Sequence, residues 1–309
     1  MPESARPLVP RRVVVHGDST VAWRQDVESR AAITPSDREA PATAPRKRVR
    51  PKRALSQSFL TQSSVAEAMV RAAEVSSQDT VLEIGPGLGA LTRPLVQTAG
   101  TVIAIELDAS LAESLPRALD FPPNLTVGHG DALAVDLAAH VSEPYVVVAS
   151  LPYHVASPIL FKLLTESPRP TRIVAMVQEE VAHRIVGRPG AMTYLGAAIA
   201  TLAEARLVRR VAPGSFFPVP KVRSAIVRIE VRPAPAALVD SVESFLAFLR
   251  AGFAQPRKQL HNSLGQGLRV PGERVQVAAH AVGIDSRRRP GELSIEEWVA
   301  LHNAIGGSE

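Results

Sequence analysis

The chain has 309 residues, 46% of them hydrophobic, and a formal charge of +5, enough to bury a sizeable core and to form about two domains. It contains no cysteine, which rules out disulfides, thiolate catalysis and cysteine metal sites, and its eight dispersed histidines show no ligand spacing, so no metal is expected. No apolar run approaches the roughly 18 residues of a membrane span and the N-terminus lacks a signal-like apolar stretch, so the expectation is a cytoplasmic protein with no membrane partner.

Charge is unevenly spread. Residues 1–53 carry 12 Lys/Arg against 6 Asp/Glu, residues 54–220 carry 11 against 15, and residues 221–309 carry 12 against 9. Basic flanks around an acidic body suit a polyanion held from the sides and a small cationic or hydroxyl-rich ligand in the middle. Residues 1–53 mix Pro, Arg, Ser and scattered acids without a sustained period and read as a disordered basic tail. From Ala54 the chain becomes organised. Ser63–Ala73 has helical spacing, with Ser63 or Ser64 as cap. Apolar strands follow at Thr80–Ile84, Thr101–Glu106, Leu125–Gly128, Tyr145–Ser150 and Ile173–Gln178, separated by helices at Ala90–Thr98, Leu111–Leu119, Ser157–Thr165 and Glu179–Val186. Apolar strands alternating with helices predict a parallel sheet covered on both faces. Arg206–Val211 and Ser224–Val231, flanking a Pro- and Gly-rich turn, predict an antiparallel hairpin that closes the sheet. Pro233-Ala234-Pro235 reads as a linker, and Val239–Phe253, Arg257–Leu264, Glu273–Val282 and Ile295–Ile305 as a small all-helical domain. The division is therefore a tail at 1–53, an α/β domain at 54–232 and a helical domain at 233–309.

The chemistry concentrates at strand ends. Val81-Leu82-Glu83-Ile84-Gly85-Pro86-Gly87-Leu88-Gly89 runs from a strand into a glycine turn, where backbone can approach a ligand closely. Glu106 ends the next strand, 21 residues after Gly85, placed to accept hydrogen bonds from a ribose diol. Asp131 follows the third strand and is placed to accept from an adenine amine. Singly, each acid is more often a cap or a solvated loop residue; together on successive strand ends they point to an adenosyl cofactor. The turn lacks a Lys-Ser/Thr ending, which argues against a nucleoside triphosphate. Ser150-Leu151-Pro152-Tyr153 then sets a hydroxyl, a main-chain carbonyl and an aromatic ring at the end of another strand. Two acceptors on the hydrogens of an exocyclic adenine amine favour the pyramidal nitrogen that attacks a methyl donor, and Tyr153 would stack the extruded base. The bland alternative is a strand-ending turn with a buried tyrosine.

These segments resemble the ribosomal RNA small-subunit adenine N6,N6-dimethyltransferases from about Leu55 to Ile305. The resemblance is carried by Ser56-Gln57-Ser58-Phe59-Leu60, Glu83–Thr92, Ile105-Glu106-Leu107-Asp108, Gly130-Asp131-Ala132-Leu133, Ser150-Leu151-Pro152-Tyr153, Gln178–Arg184, Ser215–Val222 with Ser224-Ala225, Arg257–Leu264 and Glu292-Leu293-Ser294. It implies a Rossmann-like, seven-stranded, mostly parallel methyltransferase domain and S-adenosylmethionine as cofactor. By position it implies Ser58 and Leu60 at the cofactor, Gly85 and Gly87 at its methionine part, Glu106 at its ribose and Asp131 at its adenine. Ser150, Leu151 and Tyr153 would form the target-amine site, with Ser150 also near the cofactor and Phe216 on the other face of the base. Phe216 is equally readable as a core aromatic anchoring the hairpin. Arg257 and Lys258, on one helical face, and Lys221 would meet RNA phosphates. The implied reaction is dimethylation of two adjacent adenosines in a hairpin loop near the 3′ end of 16S rRNA, in the small subunit or its precursor, by a monomer. The family usually has Asn at position 150, Gly-Gln-Asn or Gly-Gln-His at 56–58, and Arg at 256. Two alternatives stand beside this reading: a 23S rRNA adenine methyltransferase of the antibiotic-resistance type, and a non-catalytic RNA-binding assembly factor that keeps the fold.

Overall fold

Five strands, β3 (Thr80–Ile84), β4 (Thr101–Glu106), β5 (Leu125–His129), β6 (Val146–Ser150) and β7 (Arg172–Gln178), pair in parallel in the order β5-β4-β3-β6-β7 in the computed structural model, which describes residues 22–24, 57–187, 190–235 and 241–306. Two antiparallel strands, β10 (Ser224–Val231) and β8 (Ala203–Val211), extend the sheet beyond β7, with β10 between β7 and β8. The predicted hairpin is present, and β8 begins three residues earlier than its apolar pattern suggested. An eighth strand, β1 (Ala22–Arg24), pairs antiparallel with β5, with Ala22 opposite His129 and Arg24 opposite Val127. It lies within the stretch read as structureless. An open sheet edge offers unpaired amide and carbonyl groups, and a short segment can join it through backbone alone, which a reading of side-chain periodicity does not register. The rest of the tail lies outside the described residues.

Helices flank the sheet as α/β logic requires. On one face α1 (Ser63–Ala73) and α2 (Thr92–Thr98) cover Val81, Val102, Val146, Val148, Val174 and Ile226. On the other, α4 (Ala156–Thr165), α5 (Glu179–Val186) and α6 (Tyr194–Leu202) cover the alternating partners Leu82, Ile84, Ile105, Val147, Ala175 and Val227. This split follows from the two-residue side-chain period of a strand. A third packing site joins α3 (Ala109–Ala118) to Ala104 and Val127. Neither Ser63 nor Ser64 caps α1: the cap position is Gln62, whose side-chain oxygen accepts the Ser215 hydroxyl at 2.7 Å. Helix α6 has no counterpart in the sequence reading. Its run Tyr-Leu-Gly-Ala-Ala-Ile-Ala-Thr-Leu is apolar on every side and so lacks the stripe that marks a surface helix. A Cβ on its Gly196 would lie 2.6 Å from the Arg184 carbonyl oxygen, so glycine there permits the close approach of α5.

The C-terminal helices α7 (Val242–Gly252), α8 (Leu260–Leu268), α9 (Gly272–Ala281) and α10 (Ile295–Gly306) share a continuous apolar core with the α4–α6 face of the sheet. Trp298 of α10 is fully buried, tilted against Phe253 and edge-on to Phe248. The expected helix Arg257–Leu264 begins only at Leu260. Arg257 and Lys258 therefore sit in the exposed turn between α7 and α8 and share no helical face. Pro256, which can only start a helix or interrupt one, precedes them, and the Leu260 amide is donated to the Arg288 carbonyl at 2.7 Å.

Candidate active site

The chain runs outward from β3 to β4 and β5, then returns across β3 to β6 and β7, so the strand order reverses between β3 and β6. A crevice opens at the carboxyl ends of strands at such a reversal. Here it is a cavity of about 270 Å³ lined by residues from every strand end concerned, including Gly85, Glu106, Asp131, Ser150, Tyr153 and Phe216.

The glycine turn forms its floor. Gly85 (φ +70°) donates its amide to the Ile105 carbonyl at 2.9 Å, and a Cβ there would stand 3.8 Å from the Ser150 carbonyl oxygen, so the two strand ends meet side by side. Gly87 (φ +57°) faces the Phe59 ring, which a Cβ would approach to 3.1 Å. Gly85 is favoured by its positive φ, and Gly87 both by φ and by the tight approach of the ring. Glu106, 6% exposed, holds the turn from the side: one carboxylate oxygen accepts the Gly87 amide and the other the Asp108 amide, each at 2.9 Å. Burial raises its pKa, and the two amide donors oppose the rise. Each oxygen has lone-pair capacity beyond the one amide it binds, so the carboxylate can also receive a diol. Asp131 lines the cavity, and its Oδ1 caps the next turn through the Leu133 amide at 2.9 Å.

The wall opposite is built on β6 and β10. Ser150, half-buried, ends β6 in register with Met176 of β7. Leu151 spends its amide on the Met176 carbonyl at 3.1 Å. The Tyr153 hydroxyl lies 2.9 Å from that of Ser224, which is fully buried at the start of β10 and also lines the cavity. The sequence reading gave Ser224 no role, although it stands in a quoted segment; only the pairing of β10 with β7 brings it under Tyr153. Phe216, 5% exposed, lines the cavity and also packs with the α1-side core, as the hairpin-anchor reading expects.

A strap of chain closes the rim. β2 (Phe59–Leu60) pairs antiparallel with β9 (Phe216–Phe217), matching Phe59 to Phe217 and Leu60 to Phe216. The Ser58 hydroxyl donates to the Pro218 carbonyl at 2.6 Å, and the Gln57 amide nitrogen donates to Asp108 at 3.0 Å. Ser58 lines the main cavity; Leu60 lines a smaller adjoining pocket of about 50 Å³ that shares Gly85, Gly87 and Ser150 with it. Ser56 lies outside the described residues. Lys221 is exposed on the segment after β9, and neither it nor Arg257 and Lys258 lines the cavity.

A mostly parallel sheet with a glycine turn, a buried acid and a partly aromatic wall gathered at one reversal point is the arrangement of an adenosyl-cofactor methyltransferase. A family model described as ribosomal RNA adenine dimethylase matches residues 48–306. The chain belongs to that family. A curated relative, ribosomal RNA small subunit methyltransferase A of Geobacillus thermodenitrificans, is 39% identical over 265 residues, 82% of this chain and 90% of that protein. The protein of that name from Dehalococcoides mccartyi is 38% identical over 255 residues, covering 82% and 88%. Among solved structures, a dimethyladenosine transferase from Plasmodium falciparum superposes with a TM-score of 0.68 at 26% identity, covering 79% of this chain and 95% of its own. The 23S rRNA methyltransferase ErmE gives 0.65 at 30% identity, covering 80% and 99%.

Proposed function

We infer that the protein transfers methyl groups from S-adenosylmethionine to N6 of two adjacent adenosines in a hairpin loop near the 3′ end of 16S rRNA, acting as a monomer in the cytoplasm on the small subunit or its precursor. One observation carries this: Glu106, the glycine turn and the Ser150–Tyr153 wall open into a single cavity. The residues fit the cofactor, because Gly85 and Gly87 line the cavity with bare backbone and the Glu106 carboxylate has acceptor capacity left. When bound, the cofactor supplies a methyl group on positively charged sulfur, which is electrophilic without further activation.

The chain's own residues supply position. Glu106 accepts the ribose hydroxyls, Asp131 the adenine amine, and Gly85 and Gly87 present bare backbone to the methionine part. The Ser150 hydroxyl and the Leu151 carbonyl accept the two N6 hydrogens of the target base, which draws the nitrogen lone pair out of the ring and aims it. Tyr153 and Phe216 hold the base between two rings and keep water out. Ser224 fixes the Tyr153 ring by its hydroxyl. Lys221, Arg257 and Lys258, all exposed, meet the RNA phosphates in this reading.

The test is incubation of under-methylated small subunits with labelled cofactor, followed by mapping of the modified nucleotides. Label on the adjacent adenosines of the 3′-terminal hairpin is the expected result. Cofactor binding without label on small-subunit adenosines overturns the reading, and label confined to large-subunit RNA redirects it to the 23S alternative.

A further inference from the structure

The segment between β9 and β10 is anchored at both ends inside the cavity and exposed between them. Phe216 (5% exposed) and Ser224 (0%) both line the cavity. Between them Phe217, Val219 and Val222 are 59%, 64% and 44% exposed, interleaved with the exposed cations Lys221 and Arg223. Among the described residues, neither cation has a carboxylate partner. The backbone under Phe217 is nevertheless fixed, by its ladder with Phe59, by the Ser58 hydroxyl on the Pro218 carbonyl, and by the Glu179 amide on the Arg223 carbonyl at 3.0 Å. An aromatic ring that is mostly in solvent on a fixed backbone adds little to the core.

We propose that Phe217 is a stacking platform for the nucleotide next to the target adenosine, with Lys221 and Arg223 on the phosphates that flank it. The proposal rests on the reading of this cavity as an RNA adenine site. Drawing one base out of a single strand deprives its neighbour of a stacking partner. An aromatic face at the mouth of the base pocket replaces that partner, and does so for any base because every base has a π-face. Cations without carboxylate partners beside the ring match a phosphate backbone, and the ring itself matches a base rather than a carboxylate. Ring, cations and base pocket are continuous along nine residues, which is why single-stranded RNA is the occupant.

Two measurements test it. With under-methylated small subunits, Phe217→Ala should raise KM about tenfold, as expected for loss of one base–aromatic stack, with the loss falling in KM rather than in cofactor affinity. Phe217→Trp should restore KM and Phe217→Leu should not, because stacking needs a ring. With a heptaribonucleotide carrying a single central adenosine, an abasic nucleotide on one side of that adenosine should weaken binding to the parent protein about tenfold. The same change should weaken binding to Phe217→Ala by about twofold or less, since the partner is already gone. An unchanged KM in Phe217→Ala, or equal abasic penalties in both proteins, overturns the assignment and leaves methyl transfer intact. Failure of the parent protein to methylate the subunits would instead strike the function.

Discussion

Glu83, the fourth residue of β3, is 1% exposed in the centre of the sheet, opposite Ala104 and Val148. Neither carboxyl oxygen has a hydrogen-bond partner among the described residues; the Thr92 hydroxyl lies near enough to ease the charged form slightly but outside hydrogen-bond geometry. Burial, helped by the Glu106 charge nearby, pushes the Glu83 pKa from an ordinary 4.5 up to about 8. The folded protein thus holds a neutral acid that the unfolded chain ionises. Below pH 4.5 both states are protonated and the group costs nothing. As pH rises toward 8 the unfolded state alone sheds the proton, and stability falls by about 1.4 kcal/mol per unit. Between pH 5 and pH 8 this one residue should remove about 3 kcal/mol, or about 6–12 °C in Tm for a protein of this size. Glu83→Gln keeps the shape without the titration. Urea unfolding of parent and variant at pH 5, 6, 7 and 8, without added cofactor, should therefore give curves that converge at pH 5 and separate by about 3 kcal/mol at pH 8, the variant being the more stable. Parallel curves would refute the claim that Glu83 is buried and neutral.

Glu106→Ala removes the proposed ribose acceptor and leaves the Gly87 and Asp108 amides without their partner; calorimetry should show cofactor affinity falling at least about tenfold, the worth of one charge-assisted hydrogen bond. Gly87→Ala places a methyl 3.1 Å from the Phe59 ring at φ +57°, and should cost about 1–2 kcal/mol in thermal unfolding while weakening cofactor binding. Ser150→Asn supplies a longer acceptor to the target amine and should raise kcat on under-methylated subunits about two- to tenfold, the worth of one hydrogen bond; an unchanged kcat would mean that the serine hydroxyl already reaches the nitrogen.

How far the sequence could be read depended on whether a signal is local. The parallel strands announce themselves because they are mostly buried and read as short, largely apolar runs, and the glycine turn because φ selects glycine at Gly85 and φ and contact both select it at Gly87. Helix α6 escaped because a helix buried all round has no polar stripe to set its period. The two-residue ribbon β2–β9 escaped because pairing across more than 150 residues leaves no periodicity at all.

The sequence by itself determined the alternation of strands and helices, the acids at successive strand ends and the family to which they belong, since these follow from burial patterns and residue chemistry a few positions wide. Only the tertiary structure decided that Ser224 stands against Tyr153, that Leu60 lines the smaller adjoining pocket, that Arg257 and Lys258 share a turn rather than a helix face, and that Phe217 stays largely in solvent next to a residue that lines the cavity. Those outcomes depend on which strand lies beside which, and hydrogen bonding between distant segments fixes that only when the whole sheet has closed.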